Sequence, residues 1–393
     1  MGKLVLISNP GSASRKYALY NDSVCLAKIH FEHVEKDIVY TYTSKDKTVQ
    51  EKSNLSHLTF AAERVVPLLQ QYGALKNGDE LSVIALRVVA PASYFQLHRA
   101  LDDKALTKLA ELEKRAPLHV NAALQESHLL RKNFPEIMLA GISDSAFHSK
   151  KPKYAQYYDI PLDDADKLDI KRFGYHGLSV ESVVETLKSA DKLPLRLVIC
   201  HLGSGASVTA VRDGKSLDTT MGYSPLEGLM MATRAGSLDV TAAEVLQEQL
   251  KLNSQQLEEY LNNRSGLLGV SGISSDIRIL LRESRDGNEK ASLALKMYLY
   301  RVRQAIGQMA ATLGGIDALV FTGTVGERSN EIRRRVVERL LFLGMSIDPE
   351  LNHKAVEPQK MTSISPAPHP GRIYVIPADE DKIIAKHALN FSS

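Results

Sequence analysis

Several features that assign a chain to a familiar class are absent from these 393 residues. Only Cys25 and Cys200 are cysteines, which is too few for a disulfide framework, and no Cys/His spacing resembles a zinc site. The formal net charge of +3 is too small to indicate a nucleic-acid or membrane-surface partner. No apolar run approaches the roughly 18 residues that span a bilayer, and the first residues lack the hydrophobic region of a signal peptide. We therefore expect a cytoplasmic protein that binds neither nucleic acid nor membrane.

The composition is that of an ordinary soluble globular protein, with 44% hydrophobic and 24% charged residues. The chain is long for a single hydrophobic core, so two domains are expected. Buried strands are predicted in "DELSVIALRVVAP" and "EIMLAGISDSAF", and helices over 55–73, over "FQLHRALDDKALTKLAELEKRA" and over 288–313. Strands that alternate with helices predict an α/β fold with mixed sheets.

Two stretches about half a chain apart share one pattern. "LVLISNPGSASRKYALYNDS" and "LVICHLGSGASVTAVRDGKS" each consist of a strand, a Ser/Gly turn, a second strand and a polar turn, which predicts two β-hairpins. Neither turn is a P-loop or a G-x-G-x-x-G fingerprint. The hairpins are either unrelated or the opening elements of a duplicated domain, in which each small-residue turn approaches phosphate. The pattern alone leaves both interpretations open.

Candidate chemistry is found where predicted strands end. Arg87 lies in an otherwise apolar strand, and a buried Arg needs an anionic partner; Asp144 ends another strand. These residues fit a structural ion pair and an anion-binding clamp equally well. His176 precedes a predicted helix, and Arg234 lies two residues before Gly236, which permits close approach of a ligand. "VFTGTVGERS" predicts a strand, a glycine turn and a helix, a combination that can pass under a nucleotide.

Taken together, these segments resemble the acetate kinase family, within the superfamily of actin, sugar kinases and heat-shock chaperone ATPases. The resemblance runs in order through almost the whole chain, and "SPLEGLMMATRAG" is its longest and most specific segment. Its other segments are "NPGSASRKY", "APLHVNAA", "SDSAFH", "RFGYHG", "HLGSGASV", "SGLLGVSGISSDIR", "FTGTVGE" and "IPADED".

The resemblance implies two actin-like (ribonuclease H-like) α/β domains, with mixed sheets flanked by helices and an interdomain cleft. The first would comprise 1–147 plus 382–393, and the second, with the nucleotide site, 148–381. The implied reaction is Mg²⁺- or Mn²⁺-dependent, reversible, in-line phosphoryl transfer between ATP and acetate, which gives acetyl phosphate and ADP. A homodimer formed through the second domain is also implied.

The resemblance also implies roles for individual residues. The implied metal ligands are Asn9 and Glu380. The implied catalytic residues are Arg87, His119, Asp144, His176 and Arg234. The implied pocket for the acyl chain consists of Val89, Leu118, Tyr175 and Pro225. The residues implied to hold the nucleotide and its phosphates are Ser12, Ser14, Lys16, His201, Gly203, Ser204, Gly205, Asp276, Ile277, Arg278, Gly323, Thr324, Gly326 and Glu327.

This chain departs from the family pattern at several of these segments. Ala90-Pro91-Ala92 replaces His-Gly-Gly, Ser204 replaces an Asn, and Tyr175 replaces a Phe. Further changes are Ala235, Ser237, Thr324 and Arg328. Two alternatives to acetate kinase activity therefore remain: a kinase for propionate or another short acid, and a weakly active nucleotide-binding protein that acts as a sensor or partner. The Tyr175 hydroxyl is expected to point away from the acyl pocket.

Overall fold

A computed structural model of the chain describes residues 2–11, 14–113, 117–367 and 371–392, without the side chains of residues 117–119. The chain divides into two compact units, Met1–Ala146 with Asp379–Ser393, and Phe147–Ala378. These units differ from the predicted domain bounds at both junctions: Phe147 lies in the second unit and residues 379–381 lie in the first. Within the described ranges, no helix combines the length and apolarity needed to cross a membrane.

The first unit is built on an eight-stranded sheet with the order β5-β4-β3-β2-β1-β6-β8-β7. Its strands are β1 Leu4–Pro10, β2 Ser14–Asn21, β3 Val24–Val34, β4 Asp37–Ser44, β5 Thr48–Lys52, β6 Leu81–Val88, β7 Arg99–Ala100 and β8 Leu139–Ser143. Its helices are α1 Ala61–Gln71, α2 Asp103–Glu111, α3 Pro117–Asn133 and, at the end of the chain, α14 Glu380–Ala388. One continuous apolar core joins the sheet to the helices packed on it.

The second unit has a six-stranded sheet with the order β11-β10-β9-β12-β14-β13. Its strands are β9 Arg196–Leu202, β10 Ala206–Arg212, β11 Lys215–Thr219, β12 Ala318–Thr322, β13 Thr362–Ser363 and β14 Arg372–Val375. Its helices are α4 Leu162–Leu168, α5 Gly177–Ser189, α6 Val240–Gln249, α7 Ser254–Asn263, α8 Gly266–Ser271, α9 Ile277–Arg285, α10 Glu289–Leu313, α11 Gly323–Arg328, α12 Asn330–Val337 and α13 Pro349–Lys354.

The two sheets share a central strand order. In the first, β3-β2-β1 are antiparallel and β1-β6-β8 are parallel. In the second, β11-β10-β9 are antiparallel and β9-β12-β14 are parallel. Both predicted hairpins, β1–β2 and β9–β10, occupy the same place in this order. The common topology favours a duplicated domain over two unrelated hairpins.

Two sequence predictions were wrong in detail. The helix predicted in "FQLHRALDDKALTKLAELEKRA" begins only at Asp103, because Arg99 and Ala100 instead pair with the edge of β8, and this helix, α2, ends at Glu111. The predicted glycine turn after β12 is itself the short helix α11. By contrast, the strands β6 and β8 and the long helix α10 form as predicted, since their apolar residues are buried in the period expected of each.

Candidate active site

Arg87 is the centre of a charged cluster at the carboxyl ends of β6 and β8. Its Nε and Nη2 atoms contact one carboxylate oxygen of Asp144 at 3.2 and 3.1 Å. Its Nη1 atom donates to Asn9 Oδ1 at 3.3 Å and lies 3.5 Å from Glu380 Oε2. The Asp144 side chain is 1% exposed, and that of Arg87 is 20% exposed. Thus Asn9, Arg87, Asp144 and Glu380, four of the predicted site residues, come together within the first unit.

Each charged group in this cluster affects the protonation of its neighbours. Burial disfavours the guanidinium, but Asp144 and Glu380 outweigh that effect and raise the pKa of Arg87 above its ordinary value. Burial raises the pKa of the Glu380 carboxyl; Arg87 offsets part of this rise, and Asp144 adds to it. Arg87 is therefore always charged, whereas the ionised form of Glu380 would be stabilised by a further positive charge. Such a site is suited to bind a cation or to hold an anion against Arg87.

A buried carboxylate fixes the first hairpin to α3. Glu126 accepts hydrogen bonds from Ser8 Oγ and Tyr17 Oη, both at 2.7 Å, and lies 3.7 Å from Arg15 Nε. Burial raises the pKa of the Glu126 carboxyl, although its two hydroxyl donors and Arg15 lower it in part. Sequence reasoning missed this network, since nothing in the spacing of these residues brings them together. Its effect is to set the position of β1, which carries Asn9 next to its last residue.

The structure describes only some of the site residues predicted near this hairpin. Lys16 is exposed and pairs with Asn9 across the β1–β2 ladder, and Ser14 begins β2. Ser12 lies outside the described residues. The side chains of Leu118 and His119 are likewise outside the description, although their backbone belongs to α3.

In the second unit, the turn between β9 and β10 meets two nitrogen-bearing side chains. A Cβ atom added to Gly205 would lie 3.0 Å from His176 Nε2 and 3.3 Å from Arg234 Nη1. A larger residue would therefore crowd both groups, so glycine keeps this approach open. Arg234 also donates to the carbonyl of Pro225 at 3.4 Å. The turn, an imidazole and a guanidinium together present the kinds of group that bind phosphate.

Two stacked histidines line this turn. The rings of His176 and His201 lie 4.1 Å apart with an interplanar angle of 30°. His176 Nδ1 is 3.0 Å from Ser207 Oγ, and His201 Nδ1 is 2.7 Å from Ser179 Oγ. His176 adopts a positive φ of 58° at the start of α5, a conformation that non-glycine residues adopt only where their surroundings hold them. Both imidazoles are therefore fixed in orientation beside the turn.

Gly323 completes the same neighbourhood. It has a φ of +77°, and a Cβ atom there would lie 2.8 Å from the carbonyl oxygen of Leu202. Glu327 accepts from the Gly323 amide at 2.8 Å and from the Ala378 amide at 3.1 Å. The predicted residue Glu327 thus caps its own helix, α11, while Thr324 is exposed and Gly326 is buried.

A fully buried arginine, which the sequence analysis missed, donates hydrogen bonds to carbonyl groups of α11. Arg333 donates to the carbonyls of Gly326 and Glu327 at 2.7 and 2.9 Å. It also donates to the side chain and carbonyl of Asn352 and to the carbonyl of Ala355. Burial lowers the pKa of Arg333 to about 10. In a run of three arginines, no sequence signal distinguishes Arg333 from its neighbours.

The remaining predicted residues form two groups. Asp276 caps α9 and makes an ion pair with Arg278 at 2.6 Å, which lowers the pKa of Asp276; Ile277 is buried beside them. In the predicted acyl pocket, the buried Tyr175 donates its hydroxyl to the carbonyl of Tyr223 at 2.6 Å. That hydroxyl is therefore satisfied by the protein itself. Pro225, two residues further on, is buried, and Val89 of the first unit is half-buried.

The oxygen atoms of Asn9 and Glu380 are of the kind that Mg²⁺ prefers. Both approach the same Arg87 nitrogen, so two oxygen donors converge in the first unit. In the described ranges, no three His, Cys, Asp or Glu side chains gather into a metal-binding group. The protein therefore offers few ligands of its own, as is common where Mg²⁺ is held mainly by substrate phosphates and water.

Comparison with known proteins places this geometry in a family. The model of the acetokinase family matches residues 4–386. The acetate kinase of Bacteroides thetaiotaomicron is 37% identical, over 98% of each chain. The crystal structure of Porphyromonas gingivalis acetate kinase matches with a TM-score of 0.87 and 32% identity over 100% of both chains. The crystal structure of a propionate kinase from Francisella tularensis matches with a TM-score of 0.89 and 30% identity over 99% of both chains. The chain therefore belongs to the acetokinase family, as its sequence segments predicted.

Proposed function

We propose that this protein is an acetate kinase that reversibly transfers the γ-phosphoryl group of ATP to acetate. A carboxylate oxygen of acetate forms a bond to the γ-phosphorus while the bond from phosphorus to the β–γ bridging oxygen breaks. The products are acetyl phosphate and ADP. The observation that carries the proposal is the Arg87 cluster in a chain of the acetokinase family, because a guanidinium braced by a buried carboxylate presents a fixed positive charge to an anionic substrate.

The residues fit a reaction that needs positioning more than acid–base chemistry. A carboxylate is already a nucleophile, so catalysis rests on orientation and on neutralising negative charge. Arg87 binds the anionic substrate, and Asp144 keeps the guanidinium in one orientation. Arg234 and His176 contact the phosphoryl group beside the Gly205 turn. When Mg²⁺ is bound, with Asn9 and Glu380 as its protein ligands, it neutralises phosphate charge.

The decisive experiment uses the purified protein with Mg-ATP and formate, acetate, propionate or butyrate. Acyl phosphate is trapped with hydroxylamine and measured as the hydroxamate. Acetate is expected to give the highest kcat/KM and propionate a lower one, because one methylene is worth only about 1–3 kcal/mol of discrimination. Nucleotide binding without any product would instead favour a sensor protein. A preference for propionate is the second candidate, supported by the propionate kinase of similar structure.

We also infer a homodimer formed through the second unit. Leu293, Met297 and Tyr300 are exposed on α10 at helical spacing, so that they form an apolar stripe on one face of the helix. A second copy of the chain would remove these side chains from water. Sedimentation at micromolar concentration tests this inference, and a monomer would contradict it. We place the protein in the cytoplasm, where the free thiols of Cys25 and Cys200 are stable.

A further inference from the structure

His98 makes an unusual contact at the edge of the first sheet. Its Nδ1 atom lies 3.1 Å from the backbone nitrogen of Ser143, the last residue of β8. An amide N–H only donates, so Nδ1 accepts the hydrogen bond. The short strand β7 pairs with β8 at Gly141 and Ala140, and His98 directly precedes β7. The imidazole therefore replaces a backbone carbonyl where the β7–β8 ladder ends.

This hydrogen bond acts on the residue next to Asp144. The Asp144 amide donates to the carbonyl of Val88 at 3.0 Å, on the β6 side of the strand. On the opposite side, the Ser143 amide is held by His98. The turn is closed by the Ser145 amide, which donates to Ser143 Oγ at 3.1 Å, and Ser143 Oγ itself donates to Phe95. The backbone that carries Asp144 is thus fixed from both edges.

A second histidine connects His98 to the helix that carries Glu380. The rings of His98 and His387 lie 4.1 Å apart with an interplanar angle of 37°. His387 follows Glu380 on α14 by about two helical turns, so both side chains project from one face of that helix. Glu380 contacts Arg87, and Arg87 contacts Asp144. The contacts therefore close a ring around the charged cluster.

We infer that His98, with His387 stacked on it, is a positioning residue that fixes Asp144 and Glu380 relative to Arg87. The inference rests on the proposed function for its effect on catalysis, but the structural contact is testable without it. This chain has Ala90-Pro91-Ala92 where the family has His-Gly-Gly. His98 lies outside that segment.

The test compares four variants with one control. His98→Ala removes the acceptor, while His98→Asn offers an amide oxygen near the place of Nδ1. His387→Ala removes the stacked ring, and His387→Phe retains an aromatic ring. His57→Ala, an exposed histidine of the same unit, is the control. Each protein is examined by hydrogen exchange at the Ser143 amide and by kcat and KM for acetate.

In His98→Ala, we expect exchange at Ser143 to accelerate by at least about tenfold, because the amide loses its acceptor. We expect kcat/KM to fall by about 10–100-fold, mostly through kcat, since misplaced groups act on the transition state. His98→Asn and His387→Phe should stay within about threefold of wild type in both measurements, and His387→Ala should show a partial loss. The control should match wild type.

Three results would overturn the inference. These are unchanged exchange at Ser143 in His98→Ala, exchange in His98→Asn as fast as in His98→Ala, and fast exchange with undiminished kcat/KM. Wild-type behaviour of His387→Ala in both measurements would overturn the part assigned to the stack. If the wild-type protein forms no acyl phosphate, the proposed function fails, while the exchange measurements still test the His98 contact.

Discussion

Replacing Arg87 with Ala tests the charged cluster most directly. The change removes both nitrogen contacts to Asp144 and the nearby positive charge from Glu380. It leaves the Asp144 carboxylate, which is 1% exposed, without its cation. Breaking a buried ion pair from one side costs about 3–5 kcal/mol, and the partial exposure of Arg87 points to the lower end of that range. We therefore expect a loss of about 3 kcal/mol in the free energy of unfolding.

The effect on catalysis should be larger than stability alone explains. If Arg87 binds the substrate as proposed, loss of its charge is expected to lower kcat/KM by about 10²–10³-fold in folded protein. Arg87→Lys should recover only part of both losses, because an ammonium group cannot make the planar contacts of a guanidinium. Arg131→Ala, which breaks a more exposed ion pair with Asp103 in the same unit, should cost less than about 1 kcal/mol.

A double variant separates the two effects. In Arg87→Ala/Asp144→Asn the uncompensated carboxylate is gone, so stability should return toward wild type while kcat/KM stays low. Urea unfolding followed by circular dichroism gives the stability, and the hydroxamate assay gives the rate. Wild-type stability in the single Ala variant would refute the account of the ion pair. Near-normal turnover in that variant would refute the role of Arg87 in the reaction.

Three further predictions follow from buried groups. Because burial raises the pKa of Glu380, its carboxyl binds a proton more readily in the folded protein than in the unfolded chain, so stability is lost as pH rises from the unfolded pKa through the folded pKa. Glu380→Gln should therefore raise the thermal midpoint, measured by calorimetry, at neutral pH but not at acid pH. Arg333→Met should cost at least about 3 kcal/mol in urea unfolding, because several buried carbonyls lose their donor, whereas Arg334→Met at the exposed neighbour should cost less than about 0.5 kcal/mol. Tyr175→Phe should leave the ratio of kcat/KM values for acetate, propionate and butyrate unchanged, because the hydroxyl is bonded to the Tyr223 carbonyl; a marked shift toward longer acids would contradict this.

The parts of the fold that follow from local patterns were predictable from the sequence. Alternating and continuous apolar segments gave the strands and α10, and the repeated hairpin pattern matched the shared strand order. The helix predicted before Asp103 failed because Arg99 and Ala100 pair with β8, and tertiary pairing outweighs helix propensity. Likewise, the turn predicted at Gly323 is a helix: Glu327 accepts from the Gly323 amide at the start of α11, and the amide of distant Ala378 donates to the same carboxylate oxygen.

The site was predictable in part for a similar reason. An arginine in an apolar strand signals an anionic partner, and Asp144 is that partner. Family resemblance, rather than any local pattern, pointed to Asn9 and Glu380. Arg333 and His98 could not be predicted, because their partners lie on other elements and their sequence neighbourhoods look like ordinary surface.

The return of the chain's last segment to the first unit has a consequence for biosynthesis. The first unit consists of Met1–Ala146 and Asp379–Ser393, and the whole second unit lies between them in the sequence. A ribosome therefore synthesises all of the second unit before it adds Glu380. Until then, the partly synthesised first unit carries Arg87 and Asp144 without α14, which packs against the central strands β1, β6 and β8. Folding of this unit is thus completed only after the whole second unit has been synthesised, which makes the nascent first unit the stage at which chaperones would act on this protein.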